Sequence, residues 1–225
     1  MKIKIIATSI LVLSIFAGVI GLEKYLSSQI ASGVKREMPN ASGVRASIPL
    51  TDIAGNITSD SIKLANIDIE KYPLKESNTD SSINILAGNI SKSKPTMIGS
   101  LEITATIPVS TIAQASEFGD AQVVGNTLQV AAGAGGLGKA SLIPKYSNNQ
   151  LYFELKSVSV FGSEIPASTL PADVQDQIRS RSVRDLDIPK GMKVKSVSIS
   201  SKGLSLKLSG NNVQIGNSGS IFKDK

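Results

Sequence analysis

Residues 101–109 read LEITATIPV, and in this segment apolar side chains alternate with other residues without a break. Strict alternation over this length predicts a β-strand that buries one face. The same pattern returns at residues 151–155 (LYFEL) and 204–208 (LSLKL). The sequence therefore predicts a domain built mostly of strands. Turn-forming residues that separate the strands occur at 125–126, 147–149, 202–203 and 210–211.

Two segments depart from strict alternation in the same way, because their apolar residues are two, three and two positions apart. A step of three would turn half of a strand towards the wrong face unless an extra residue bulges out. We predict bulges at Ala65-Asn66 and at Lys195-Ser196, which would bend long strands into a curved sheet. The alternative is that each segment is two short strands joined by a kink. The apolar positions are Ile62, Leu64, Ile67 and Ile69, and Met192, Val194, Val197 and Ile199.

Two helices are predicted beside the strands. In residues 23–37 apolar side chains recur every four positions, which predicts an amphipathic helix that packs on a sheet and ends at Pro39-Asn40. A second helix is predicted from Pro171 to about Arg184, and its sparse apolar residues place it on the surface. Strands combined with these helices indicate the α+β class. The apolar positions of the two helices are Leu26, Ile30 and Val34, and Val174 and Ile178.

The amino terminus favours a membrane anchor. Lys2 and Lys4 precede an uncharged stretch at residues 5–22, which is short for a spanning helix and long for a signal-peptide core. It lacks a good A-x-A cleavage site, so we expect an uncleaved anchor in the cell membrane with the domain on the extracytoplasmic side. A cleaved signal peptide, releasing the domain into the periplasm or envelope, and a buried helix are the alternatives. The expected organisation is an anchor or signal at 1–22, one domain at 23–215 and a flexible tail at 216–225.

Composition excludes many kinds of chemistry. The 225 residues contain no Cys, no His and no Trp, which removes zinc fingers, iron–sulfur sites and Ser-His-Asp triads. Net charge is +6, and without the two leading lysines it is 22 − 18 = +4, spread thinly along the chain. A diffuse excess without aromatic stacking residues argues against a nucleic-acid partner and fits loose attraction to anionic lipid headgroups. The acidic pairs Asp173/Asp176 and Asp185/Asp187 indicate solvated surface rather than a metal site.

Two motifs suggest catalysis or nucleotide binding, and neither is complete. Residues 133–140 (GAGGLGKA) match a phosphate-binding loop except at Ala140, where a Ser or Thr should bind Mg²⁺. Pro144 also follows too soon for the helix that such a loop opens, so we expect a Gly/Ala turn between strands and no nucleotide. The Ser-x-x-Lys spacing at Ser32/Lys35 and Ser91/Lys94 is expected by chance among 33 serines. We predict no catalytic residue, cofactor or metal.

The carboxy-terminal stretch at 188–213, IPKGMKVKSVSISSKGLSLKLSGNNV, resembles the signature of the LmeA-like phospholipid-binding family of bacterial envelope proteins. Near the front, residues 46–69 are similar to the family's Pro-Leu…Gly segment, and VFGSEIPASTL at 160–170 matches more loosely. The resemblance spans roughly residues 1–215. The matching signature residues are Pro49, Leu50, Gly55, Pro189, Gly191, Gly203, Leu204, Gly210 and Val213.

This resemblance implies a TULIP-like architecture, in which a long, highly curved antiparallel sheet wraps around a helix and leaves an apolar trough. It implies phospholipid or glycolipid as the ligand, a membrane as the partner, and a role in envelope lipid or lipoglycan maturation. Phospholipase A or esterase activity and a structural scaffold of envelope biogenesis are the alternatives. We expect the following residues to line either the trough or a closed core: Leu151, Phe153, Leu155, Val158, Val160, Leu204, Leu206 and Leu208.

Overall fold

A computed structural model describes residues 28, 31–32, 34–35, 38–49, 59–73, 80–91, 93, 97–116, 120–132 and 138–214. The expectations for residues 1–22, Leu26, Ile30, Leu50, Gly55 and the 216–225 tail lie outside these residues. The helices are α1 (Val109–Ser116) and α2 (Ala172–Ser182), with a short 3₁₀ helix at Ala167–Thr169. The strands are β1 (Ser42–Ser47), β2 (Ser61–Pro73), β3 (Asp80–Ser91), β4 (Met97–Ile107), β5 (Ala121–Val124), β6 (Thr127–Ala132), β7 (Gly138–Ser147), β8 (Gln150–Val160), β9 (Ser163–Pro166), β10 (Arg184–Asp185), β11 (Met192–Ser200) and β12 (Gly203–Gln214).

The strands form two antiparallel sheets, so the predicted combination of antiparallel strands with helices is confirmed at this level. The first sheet has the order β1-β2-β3-β4-β12-β11, and the second has the order β10-β8-β7-β6-β5. Strand β9 pairs with the end of β8, on the same side of β8 as β10. The three segments with strict alternation lie in β4, β8 and β12, where their leucines and isoleucines are buried.

A single apolar core joins the two sheets. Strand β11, at the edge of the first sheet, packs against β5, β6 and β7 of the second. Helix α1 contacts β5 and β12, and helix α2 lies along β8. The predicted amino-terminal helix is helical at the residues described between 28 and 35, and Val34 within it is fully buried. Residues from both sheets and from this helix therefore share one interior.

Three local predictions need correction. Val109 does not continue β4 but begins α1, because Pro108 cannot donate to a strand ladder and its carbonyl accepts the Thr111 and Ile112 N–H groups. Residues 210–211 form no turn and lie inside β12, paired with β4. Helix α2 ends at Ser182, two residues before the predicted end, because Arg184 pairs with Leu151 as strand β10.

The two predicted bulges have different outcomes. The bulge in β11 is confirmed, since the pairing with β12 shifts between Val194 and Ser196 and leaves Lys195 as the extra residue. The bulge at Ala65-Asn66 is wrong, because β2 pairs with β3 in unbroken register from 62 to 69 and shifts only after Ile69.

The spacing in β2 has another cause, which is that four neighbouring strands change their burial phase together. Ile62, Ile90, Ile98 and Val213 form one buried row across β2, β3, β4 and β12, and Ala65, Ala87, Leu101 and Gly210 form the next. The rows are three residues apart in every strand. Between them, Asn89 and Asn212 have left-handed backbone, at φ 53° and 50°, which asparagine tolerates better than most residues. Because the strands shift at one level, the register needs no extra residue.

Strand β8 contains a bulge that the spacing of its apolar residues did not predict. The register of β7 and β8 shifts between Ser141 and Leu142 and leaves Lys156 as the extra residue. This bulge explains why Leu155 and Val158 can both point inward although they are three positions apart. The inner face of the second sheet consequently runs unbroken along β8.

Candidate functional site

The inner face of the second sheet is closed from solvent over the first half of β8. Leu155 pairs with Leu142 of β7, and the two side chains are 5% and 0% exposed. Phe153 and Leu151 continue this face and are equally buried. On strands of this kind, such leucines and aromatic residues stabilise the fold by about 1.5–3 kcal/mol each through burial. This half of the face is core.

The same face becomes accessible towards the other end of β8. Val158 and Val160 are half-buried, and Ile165, which pairs with Val158 from β9, is 37% exposed. Their partners on β7 are small, since Ala140 pairs with Val158 and Gly138 with Val160. We call these five residues the open end. At this end of β8 the apolar face is only partly covered by neighbouring residues.

The structure divides the eight residues that the sequence analysis selected. Val158 and Val160 lie at the open end, and the other six are at most 6% exposed. Residues of β8 and β12 belong to the same buried cluster, so the two sets share one interior although they lie in different sheets. The six core residues are Leu151, Phe153, Leu155, Leu204, Leu206 and Leu208.

Sequence reasoning missed Ile165 and Phe161, although both carry signals. Phe161 and Gly162 form the two-residue turn between β8 and β9, and the Phe161 side chain is 84% exposed. A hairpin turn of this length is recognisable from Phe161-Gly162 between strand-forming residues, but the exposure of the phenylalanine depends on the strands around it. Ile165 carries a weaker signal, because β9 has only four residues and shows no long alternating pattern.

Helix α2 closes the edge of β8 between its two short partner strands. The Ser182 hydroxyl accepts the Phe153 N–H at 2.9 Å and donates to the Arg179 carbonyl at 3.0 Å. Arg179 lies 4.4 Å above the Tyr152 ring, and Gln175 donates to the Ala167 carbonyl at 3.0 Å. A side chain thus takes the place of a strand at this edge. These polar contacts fix the border of the inner face.

A more polar pocket of about 340 Å³ lies over β5, β6 and β7. None of the eight predicted trough residues lines this pocket. Asp120 and Lys139 contribute opposite charges to its wall, and neither makes an ion pair or a side-chain hydrogen bond with a described residue. It shares Gly138 with the open end. Its lining residues are Asp120, Ala121, Gln122, Gln129, Val130, Ala131, Gly138 and Lys139.

Most of the residues that carry the family resemblance lie in or beside β11 and β12. Pro189 is buried and its carbonyl accepts the Met192 N–H at 2.9 Å across Gly191, whose φ is +86°. A side chain at Gly203 would collide with the Ile107 carbonyl oxygen. One at Gly210 would lie 2.6 Å from the Met192 sulfur. Pro49 is half-buried beyond the end of β1. None of these five signature residues is part of the open end.

The opposite face of the first sheet carries a polar network. Glu102 lies 2.5 Å from the Lys207 ammonium and 3.1 Å from that of Lys195. The Lys207 hydrogen bond holds the pKa of the Glu102 carboxyl below its ordinary value of 4.5, although desolvation works against it and Lys195 adds a smaller lowering effect. Asn84 donates to Asp68 and to Asn66 at 2.5 and 2.8 Å. These pairs satisfy the polar groups of this face.

The described residues supply little for catalysis. Ser32 and Lys35 are exposed and make no hydrogen bond with each other, and the Ser91 hydroxyl accepts the Met97 N–H. In the described part of the chain, no group of three acidic residues is placed to hold a metal ion. Within the same residue ranges, no helix has the length and apolar character needed to cross a bilayer. Residues 138–140 of the phosphate-loop-like motif lie in strand β7 rather than in the predicted Gly/Ala turn, and they open no helix; residues 133–137 lie outside the described residues.

In comparisons with known proteins, no family model, no curated protein and no solved structure matches the chain.

Proposed function

We propose that the chain is an exported, membrane-associated lipid-binding protein that holds acyl chains of phospholipid or glycolipid at the open end. The observation that carries the proposal is the graded exposure of one apolar face. Along β8 this face passes from Leu155, at 5% exposed, through half-buried Val158 and Val160 to the exposed turn beyond. Apolar surface that is left accessible beside small residues suits an apolar ligand.

The proposal includes the TULIP-like architecture and the LmeA-like relationship. In support, the first sheet has four neighbouring strands of eleven to thirteen residues, and bulges bend β11 and β8. Val34, which is helical and buried, belongs to the same core. Gly203 and Gly210, the signature glycines of β12, stand at close approaches of neighbouring atoms, where a larger residue would collide.

The energetics favour reversible uptake. Each buried methylene contributes about 0.8 kcal/mol, and the bilayer interior offers nearly the same gain. Transfer between bilayer and protein is therefore close to balance for the part of the chain that the open end covers. From Val158 to Phe161 the strand rises only about 10 Å. We expect the open end to hold part of an acyl chain, and envelope lipid or lipoglycan maturation would use it as a carrier or presenting site.

Matched variants of the full chain test the proposal. Val160→Asp places a charge on the inner face, whereas Ser159→Asp places the same charge on the opposite face of the same strand. Each protein is purified from membranes, and the phospholipid that remains bound is quantified by mass spectrometry. We expect Val160→Asp to retain clearly less phospholipid than Ser159→Asp, because only Val160 lies at the open end. Equal retention by both folded variants would refute the proposal, since the amino-terminal segment is common to both.

A structural scaffold for envelope assembly is the second candidate function. Its support is that six of the eight selected residues are closed core. A scaffold needs no accessible apolar face, so both variants would then retain the same phospholipid. A stable protein complex that survives Val160→Asp would favour this second candidate.

A further inference from the structure

We propose that the Phe161-Gly162 turn inserts into the bilayer interface and directs the open end at the membrane. The proposal rests on the proposed function, to which it adds the docking surface and its partner, a lipid bilayer. The turn joins β8 to β9 beside Val160, so an inserted Phe161 would bring the open end next to the acyl region.

The backbone of the turn indicates that Phe161 is present for a reason other than folding. Phe161 and Gly162 have φ values of +52° and +83°, and both central residues of a type I′ turn need positive φ. Asn-Gly suits this turn best, and a bulky aromatic residue in this conformation is an outlier. The hairpin at the other end of β8 uses Asn148-Asn149 at φ 51° and 58°. Phenylalanine is therefore a costly choice at a position where the chain elsewhere uses asparagine.

The exposure of Phe161 points outside the folded domain. Phe161 is 84% exposed, and the next most exposed large apolar residue in the part of the chain that the structure describes is Val124 at 49%. A ring in this position contributes almost no burial to the described core. Since strain and exposure both oppose it, an external apolar environment would provide the compensating interaction.

The charges around the turn favour a lipid surface as that environment. Residues 160–163 carry no charge. Behind them, Lys139 and Glu164 lie on either side of Ser159 on the neighbouring strands. One cation and one anion match the phosphate and the ammonium of a zwitterionic headgroup. Val160 and Ile165 of the open end continue the apolar surface from the ring. An uncharged tip with opposite charges set behind it suits insertion among phospholipid headgroups.

A single tryptophan tests the insertion, because the chain contains none. The full chain with the Phe161→Trp substitution is reconstituted into two kinds of phosphatidylcholine vesicles, one with brominated acyl chains and one without. Val124→Trp is the matched control, since Val124 lies at the opposite end of the second sheet, beside the Gly125-Asn126 turn. We expect the fluorescence of the tryptophan at position 161 to be blue-shifted and quenched by the brominated lipid. The tryptophan at position 124 should show neither effect. The same solvent-exposed, unquenched emission at both positions would overturn the proposal.

Phe161→Asn separates docking from folding. Asparagine fits the left-handed backbone, so this variant should unfold at the same or a higher urea concentration than the wild type. We expect it to lose phospholipid uptake from vesicles while Val124→Asn keeps it. Unchanged uptake by Phe161→Asn would overturn the insertion and leave the proposed lipid binding intact. The opposite result, a membrane-embedded tryptophan at 161 with equal lipid retention by the Val160→Asp and Ser159→Asp proteins, would support the insertion and refute the open end as the lipid site.

Discussion

Replacement of Ser182 by alanine tests how the edge of β8 is closed. One edge of strand β8 pairs with β7. The other edge pairs with β10 at its start and with β9 at its end, and helix α2 covers it between these two short strands. Ser182 is 4% exposed. Its hydroxyl accepts a hydrogen bond from the Phe153 N–H and donates one to the Arg179 carbonyl. Ser182→Ala removes these two interactions, together with the longer contact of the hydroxyl with the Phe153 carbonyl at 3.4 Å, and it leaves the helix backbone in place.

The magnitude follows from these two bonds. Taking a hydrogen bond away from a buried backbone group costs about 1–3 kcal/mol. The Arg179 carbonyl also accepts the Val183 N–H at 3.0 Å, so its loss of the hydroxyl costs little. The free energy of unfolding should therefore fall by about 1–3 kcal/mol, nearly all of it from the Phe153 N–H.

Urea unfolding followed by circular dichroism measures the change, and hydrogen exchange at the Phe153 amide locates it. Ser180→Ala is the matched control, because Ser180 is exposed on the same helix and its hydroxyl donates only to the Gln177 carbonyl. Both variants replace a serine of the same helix with alanine, so the difference between them reports mainly the edge contact. If Ser182→Ala and Ser180→Ala unfold at the same urea concentration, Ser182 does not hold the edge of β8.

Two further predictions concern the first sheet. Gly203→Ala should destabilise the fold by more than about 3 kcal/mol, since its methyl group would collide with the Ile107 carbonyl. Gly125→Ala, also at positive φ but with open space around it, should cost only about 1–2 kcal/mol, and equal losses in thermal unfolding would contradict the collision. Because Lys207 lowers the folded pKa of Glu102, its contribution is present above pH 4.5 and is lost as the pH falls through the folded pKa. Glu102→Gln should remove that part of the pH dependence, about 1 kcal/mol or less, and urea titrations at pH 3 and pH 7 that show no difference between the two proteins would refute it.

The strands were predictable wherever period-two alternation was strict. Residues 101–107, 151–155 and 204–208 lie in strands with their apolar residues inside, because that pattern has one solution when one face is buried. The bulge at Lys195 was predicted from the spacing of its strand, and the pairing of β11 with β12 shows that an extra residue keeps Met192 and Ile199 on one side.

The bulge predicted at residues 65–66 shows where such reasoning ends. The phase change in β2 is shared by three other strands, and Asn89 and Asn212 lie at the same level in two of them. A single strand's spacing cannot distinguish an extra residue in that strand from a shift of the whole sheet. Pairing between segments that are distant in sequence decides the outcome.

The candidate site was predictable in composition and not in its accessibility. The alternating residues of β8 were identified as trough or core, and the sequence could not separate the two. Exposure of Val158 and Val160 depends on the small partners Ala140 and Gly138 and on the shortness of β9. These are properties of neighbouring strands. The exposure of Phe161 likewise required knowledge of what surrounds the turn.

The central claim is that acyl chains lie against Val158 and Val160, and photo-cross-linking tests it most directly. Phosphatidylcholine with a diazirine at the end of one acyl chain is mixed into membranes that hold the full chain, and adducts are located after trypsin digestion. Cleavage after Lys156 and Arg179 places the open-end residues of β8 and β9 on one peptide, 157–179. The account predicts adducts at Val158 and Val160 that Val160→Asp reduces and Ser159→Asp does not. Adducts confined to other peptides, with 157–179 unmodified in the folded protein, would contradict it.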